Sequence, residues 1–191
     1  MGPVMAMQYQ GCESASDAVL ARVTDMGLGE PEATLTEAGF TIQARMPADR
    51  RVAARIPTEL VEVGSFELRA GGPDGERLAG PEHIESVFPR LTGDGSAITV
   101  VSLQAELGGS IQRRQMDDPE GELVVLVDGV EIVRLSNGAP VTGAEIEIEP
   151  EPEQTRAAVE RAASRAIAMD HPLPCTIVLT DVVEVAPAIG S

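Results

Sequence analysis

Apolar and polar residues along the first part of the chain follow two different periods, which predict a mixture of strands and helices. A helix is predicted to end at Gly27, where a left-handed cap is favoured, and Glu30-Pro31 begins an extended segment. Glu37-Ala38-Gly39 supplies the turn between two alternating strands. The predicted elements are a strand at 4–10, a helix at 14–26, strands at 33–36 and 40–46, a helix at 49–56 and a strand at 62–70. This β-α-β-β-α-β order predicts two helices covering one face of a four-stranded antiparallel sheet.

A second unit is predicted after the loop Gly71-Gly72-Pro73-Asp74-Gly75, because these residues interrupt regular structure. Its longest element is a helix at 155–169, followed by an extended strand at 175–185. Asp128-Gly129 and Asn137-Gly138 are predicted turns. The remaining predictions are a short helix within 81–91, a strand at 97–103, an ambiguous segment at 110–116, a hairpin of 123–127 with 130–135, and a strand at 144–149.

An ordered set of short motifs runs through the chain. The motif positions are Arg22, Val23, Gly27, Glu30, Pro31, Pro47, Phe66, Asp128, Gly129, Pro174, Pro187 and Gly190. Together they describe a helix with Arg-Val ending in Gly, a Glu-Pro strand start, a strand running into Pro, an apolar strand ending in Asp-Gly, and a Pro-containing exit. This order resembles the first extracytoplasmic (periplasmic) domain of the SecD family of Sec protein-export subunits, over nearly the whole chain.

The resemblance implies an α+β fold with a ferredoxin-like split β-α-β basal subdomain at 1–72 and 154–191, and an inserted αβ head at 73–153. Gly71, Gly72, Pro73, Pro172 and Pro174 are predicted to form a hinge, because their two segments would both cross between base and head. The resemblance further implies that the domain lies outside the cytoplasm and contacts unfolded preprotein near the Sec channel. Movement between base and head would then assist translocation. The family's proton-carrying residues lie in its membrane helices, so none can be assigned in this chain.

Charge and composition exclude some partners. The chain has 31 acidic and 14 basic residues, for a net charge of −17, and every basic residue is Arg. Such a surface repels nucleic-acid phosphates and disfavours anionic membranes. Aromatic residues are 2% of the chain, so the core is expected to be aliphatic with Phe40, Phe66 and Phe88 as its large rings. No stretch reaches the length of about 18 apolar residues that a membrane span needs, so no direct membrane insertion by this chain is expected.

No constellation of residues predicts catalysis or a cofactor. Cys12 and Cys175 are interpreted as two separate small residues or, in an oxidising compartment, as a bridge. His83 and His171 are interpreted as solvated loop residues. The alternating acids from Glu145 to Glu153 favour a solvated face over a divalent-cation site, because the loop and mixed ligands typical of calcium sites are missing. A second hypothesis remains open: a stand-alone soluble structural or interaction domain with this fold and no export role.

Overall fold

The computed structural model of the chain describes residues 2–93, 97–118, 121–135, 144–148 and 156–186. Within these ranges it contains eleven strands and four α-helices. The strands are β1 (Val4–Gln10), β2 (Gly29–Thr36), β3 (Gly39–Arg45), β4 (Phe66–Ala70), β5 (Glu76–Ala79), β6 (Ile84–Leu91), β7 (Ala97–Leu103), β8 (Leu123–Val127), β9 (Val130–Leu135), β10 (Glu145–Ile148) and β11 (Val178–Val185). The helices are α1 (Ala15–Asp25), α2 (Arg50–Glu59), α3 (Ala105–Asp117) and α4 (Arg156–Asp170).

The chain divides into two compact units. Unit 1 comprises Met1–Val63 and His171–Ser191, and unit 2 comprises Gly64–Asp170. The chain therefore leaves unit 1 after Val63 and returns to it at His171.

Unit 1 is one antiparallel sheet with the order β11-β1-β3-β2 and two helices. In the register, Met7 lies between Ile42 of β3 and Val182 of β11, so these three side chains share one face of the sheet. Helix α1 packs against β2 and β3, and α2 packs against β11. The fully or nearly fully buried residues of this core are Met7, Tyr9, Ala15, Val19, Val23, Leu28, Phe40, Ile42, Ala44, Met46, Ile56, Leu60, Leu173 and Ile177.

The cap at the end of α1 is as predicted. Gly27 has φ of +69°, its amide donates to Thr24 O at 2.9 Å, and the Leu28 amide donates to Val23 O at 3.2 Å. These two bonds satisfy carbonyls that the helix end would otherwise leave unpaired. Leu28 then enters the core beside Val23, which fixes the direction of β2.

Unit 2 contains two antiparallel sheets, with the orders β10-β7-β6 and β5-β4-β8-β9. All five residues of β8 are buried, and Phe66 at 0% exposure is the large ring of an otherwise aliphatic core. Helix α4 packs against β6 and β7. The predicted turn between β8 and β9 is confirmed, because Asp128 and Gly129 have φ of +53° and +75°.

The fourth strand of the unit 1 sheet is β11, and not the strand predicted at 62–70. That segment forms β4 from Phe66 onward and pairs with β8 and β5, which places it in unit 2. Packing of α4 on β6 and β7 likewise keeps this helix in unit 2. The boundaries fall at Val63/Gly64 and Asp170/His171, where the family resemblance implies 72/73 and 153/154.

Two further predictions differ from the structure, and one ambiguous segment is assigned. The helix predicted within 81–91 is a 3-10 turn, Pro81–His83, followed by β6, which pairs antiparallel with β7 and has a register shift between Ile84 and Ser86. Helix α2 continues through Pro57 to Glu59, since a proline near a helix end removes only one backbone bond. The ambiguous segment 110–116 lies in α3. Asn137-Gly138, Glu149, Glu151, Glu153, Pro187 and Gly190 fall outside the described residues.

Candidate binding surfaces

Strand β6 is an edge of the three-stranded sheet in unit 2, and it carries exposed apolar side chains. Leu91 is 69% exposed, and Phe88 is 37% exposed, so the expectation that Phe88 belongs to the core is wrong. An unpaired edge with apolar residues is a template for an added extended strand. Pro89 has no backbone N–H and interrupts the row of hydrogen-bond donors along this edge, so an added strand could pair only over a short stretch.

Arg90 links the two edge strands of that sheet across β7. Its guanidinium lies 3.5 Å from a Glu145 carboxylate oxygen and also hydrogen-bonds Glu147. The bridge passes over the face that carries Val100, which pairs with Phe88 on one side and Glu147 on the other. Among the described residues, the acidic stripe predicted from Glu145 onward is therefore partly neutralised by this arginine.

The edges of unit 1 differ from each other. Strand β2 contains Pro31 and is exposed along most of its length. Strand β11 contains no proline, and Val178, Val182 and Val183 are 58%, 36% and 46% exposed. An open groove of about 1280 Å³ lies beside β11 and is lined in part by Met5, Met46, Ala53, Pro57, Leu179 and Val182. Pro47 also lines the groove, two residues beyond the end of β3 at Arg45.

Cys12 and Cys175 form a disulfide, which decides between the two interpretations of the cysteines. It ties the loop after β1 to the segment before β11, with the two Cα atoms 6.4 Å apart. The Cys12 amide also donates to Cys175 Sγ at 3.3 Å. A disulfide of this kind persists in an oxidising compartment.

Arg22 is the most unusual residue of unit 1, because its side chain has 0% exposure. Its guanidinium donates to four main-chain carbonyls, those of Leu60, Glu62, Val63 and His171. The sequence places Arg22 among the motif positions but assigns it no role. The signal that could have identified it is a charged residue within an apolar helical stripe, next to Val19 and Val23.

Two titratable groups of unit 1 have defined surroundings. The His171 ring lies with Nε2 2.7 Å from Asp25 Oδ2, so this histidine is paired where the sequence predicts a solvated loop residue. Tyr9 lies in the core against Phe40, with ring centroids 5.3 Å apart, and its hydroxyl donates to Met7 Sδ. Burial raises the pKa of Tyr9, because the phenolate would lose its hydration.

The other motif positions serve local geometry. Glu30 has φ of +52° and pairs with Arg45 at 2.9 Å, and Pro31 follows it in β2. Asp128 accepts the Ser65 amide at 2.7 Å, which closes the end of β4 against the β8–β9 turn. Each of these contacts stabilises a turn or a strand end.

The hinge positions divide between the two units. Gly71 and Gly72, with φ of +80° and +113°, lie in unit 2 between β4 and β5, together with Pro73. Pro172 and Pro174 lie in unit 1 between α4 and β11. The residues at the crossings are instead Val63-Gly64 and Asp170-His171.

These features indicate a two-unit α+β domain, in which most of the exposed large apolar residues of the described ranges lie on edge strands and an open groove lies beside β11. None of the helices in the described ranges is both long and apolar enough to cross a membrane. Surfaces of this type suit the binding of extended or apolar segments.

No protein-family model and no curated protein matches the chain. Solved structures do: SecDF in its super-membrane-facing form is similar with a TM-score of 0.73 and 13% identity, over 95% of this chain and 30% of that chain. A structure of SecDF described as a membrane component that enhances protein export has a TM-score of 0.67 and 13% identity, over 96% of this chain and 99% of that chain. The α+β class and the resemblance to the SecD extracytoplasmic domain are thereby confirmed at the level of fold. The chain spans only 30% of the length of the SecDF chain in the super-membrane-facing form.

Proposed function

We propose that this chain is the extracytoplasmic domain of a SecD-like protein-export subunit, which contacts translocating preprotein and assists Sec-dependent translocation by movement between its two units. Unit 1 would be the ferredoxin-like base and unit 2 the head. The observation that carries the proposal is the likeness in fold to a SecDF chain over 96% of this chain and 99% of that one. The role is one of binding, without catalysis or a cofactor.

Two properties of the chain support this placement. The Cys12–Cys175 disulfide suits an extracytoplasmic environment. The net charge of −17 would bias binding toward basic segments, of the kind that begin export signals. Its other partners would be the Sec channel and the membrane part of a parent protein. Energy from proton flow would have to be transduced by that membrane part.

The preprotein contact is proposed at β6 in unit 2. Main-chain pairing along an edge gives affinity that tolerates most side chains, which suits a substrate without a fixed sequence. Leu91 and Phe88 supply apolar contact at this edge, and Pro89 keeps the paired stretch short. Short pairing makes binding weak, and a device that assists movement must release what it holds.

An NMR titration with an unfolded, positively charged signal-bearing peptide tests the proposal. The variant Leu91→Ser removes the most exposed apolar side chain of β6, and the matched control is Leu35→Ser, a 56% exposed leucine on edge strand β2 of unit 1. We expect chemical-shift changes around β6 and a dissociation constant that rises several-fold in Leu91→Ser and with added salt. Leu35→Ser should leave it unchanged.

The possible outcomes separate the hypotheses. Shifts confined to β11 and its groove would overturn the assignment to unit 2. The absence of any shift at millimolar peptide would favour the stand-alone structural or interaction domain.

A further inference from the structure

Arg22 is a buried charge, and a buried charge is stable only when hydrogen bonds replace its hydration. Helix α1 directs its side chain inward beside Val19 and Val23, where the exposure of Arg22 is 0%. A medium-sized apolar residue would fill this helical position at lower cost in desolvation. The retained guanidinium therefore points to a role that an apolar side chain cannot perform.

The carbonyls that Arg22 binds come from two segments that are far apart in the chain. Nη1 donates to Leu60 O at 3.0 Å and to Glu62 O at 2.5 Å, and Nη2 donates to Val63 O at 3.1 Å. Nε donates to His171 O at 2.9 Å. Residues 60–63 are the last residues of unit 1 before the chain leaves it, and His171 is the first after the chain returns.

A direct backbone bond joins the same two segments. The Leu173 amide donates to Val63 O at 2.9 Å, so this one carbonyl accepts from both Leu173 and Arg22. Residues 60–63 also follow the C-terminal end of α2, where the amides of residues 60–62 donate to the carbonyls of Ile56, Thr58 and Glu59. A cation is favoured at that end by the helix dipole.

We infer that Arg22 is the clasp of the interunit connections: one side chain holds the outgoing segment 60–63 and the returning segment 171–173 together as part of unit 1. Both segments then move with unit 1, and the freedom of the connections is confined to Val63-Gly64 and Asp170-His171. The inference concerns unit 1 alone. Its consequence for base-head movement rests on the proposed function.

Gly64 supports this limit on the freedom of the outgoing connection. It has φ of +74°, and a Cβ at this position would lie 2.1 Å from Ala168 O, a residue of the same unit. The first residue beyond the clasp is therefore already packed in unit 2. Arginine suits the clasp because its planar fork offers five donors in fixed directions, whereas lysine offers a single ammonium.

Hydrogen exchange of single amides in the intact chain tests the clasp, with Arg22→Lys as the variant. Lysine keeps the positive charge, but its single ammonium group cannot hydrogen-bond segments 60–63 and 171–173 at the same time as a planar guanidinium does. The matched control is Arg45→Lys, a partly exposed arginine of unit 1 that pairs with Glu30 at 2.9 Å. We expect the Leu173 amide to exchange at least about tenfold faster in Arg22→Lys, because charge-assisted hydrogen bonds are lost. The Ile42 amide in β3 should change much less, and Arg45→Lys should change neither.

A role in stability alone predicts a different result. If Arg22→Lys accelerates Leu173 and Ile42 by the same factor, the residue supports unit 1 as a whole and the clasp is wrong. If the variant does not fold, hydrogen exchange of the arginine Nε–H groups in the wild-type chain tests the proposal. The Nε–H of Arg22 is expected to exchange far more slowly than the Nε–H of Arg45. Equal rates would overturn the proposal. No peptide is used, so a failure of the export role leaves these outcomes unaffected.

Discussion

Unit 1 and unit 2 are both α+β, but they differ in the interactions that hold their segments together. Unit 1 joins two distant parts of the chain with a disulfide and a buried arginine, and contains the Tyr9–Phe40 ring contact. Unit 2 is one continuous stretch with two sheets and an aliphatic core. Surface Arg–Glu pairs occur in both units, such as Arg45–Glu30 in unit 1 and Arg90–Glu145 in unit 2. A unit assembled from distant segments needs specific links between them, because its loop-closure entropy is larger. A continuous unit can rest on apolar burial.

The largest expected effect comes from removing one large ring from each core. Phe40→Ala in unit 1 and Phe66→Ala in unit 2 remove side chains that are 1% and 0% exposed. Each should lower the free energy of unfolding of its own unit by about 3–5 kcal/mol, through lost burial and the remaining cavity. Hydrogen exchange in β3 and in β8 measures the two units separately. Equal loss of protection in both strands after either substitution would mean that the chain unfolds as one cooperative unit.

Removal of the disulfide should affect unit 1 selectively. In Cys12→Ala with Cys175→Ala, the unfolded chain regains entropy that the bridge had removed, and unit 1 should lose about 2–4 kcal/mol. Protection of the β1 and β11 amides should fall, while β8 is unchanged. Thermal and urea unfolding with and without reductant check this on the native sequence. A comparable loss in unit 2 would contradict the separation of the two units.

Tyr9 should make unit 1 sensitive to alkali. It is the only tyrosine, the chain contains no lysine, and both cysteines are bridged, so Tyr9 is the one side chain expected to titrate near pH 10 in the unfolded chain. The pKa of Tyr9 is raised in the folded chain, so the unfolded state loses its proton first. Stability is fully present below about pH 10 and falls above it, by at most about 1.4 kcal/mol per pH unit.

Urea unfolding at several pH values, followed together with tyrosinate absorbance, measures this effect. Tyr9→Phe is the control, and its stability should stay nearly level over the same range. Ionisation of Tyr9 near pH 10 with the core intact would show that the hydroxyl reaches water in the folded state.

The smallest effect is expected at a surface pair of unit 2. Arg90→Gln removes the link between β6 and β10, but the arginine side chain is 40% exposed. Its loss should change the free energy of unfolding of unit 2 by less than about 1 kcal/mol, and less still at high salt. Stability measured at low and high ionic strength tests this. A salt-independent loss of several kcal/mol would mean that Arg90 acts by covering Val100 and not by its charge.

Most of the local structure could be predicted from the amino-acid pattern alone. The period of apolar residues predicted β1, the β2–β3 hairpin and the paired strands β8 and β9, and glycine chemistry predicted the Gly27 cap and the Asp128-Gly129 turn. These features depend on neighbours within a few residues, which a pattern can represent. The helix predicted at 81–91 is wrong because Pro81 and Glu82 have the local chemistry of a helix start. Pairing with β7 makes most of this segment a strand.

The assignment of segments to the two units depends on long-range contacts that the pattern does not contain. Only pairing across the chain assigns β4 to β8 and makes β11 the fourth strand of unit 1. The same long-range closure brings Cys12 to Cys175 and places the carbonyls of Val63 and His171 around Arg22. None of these contacts can be predicted from the period of apolar residues, because they join residues separated by tens to more than a hundred positions. Their free energy comes from burial and hydrogen bonds that exist only once both segments are in place.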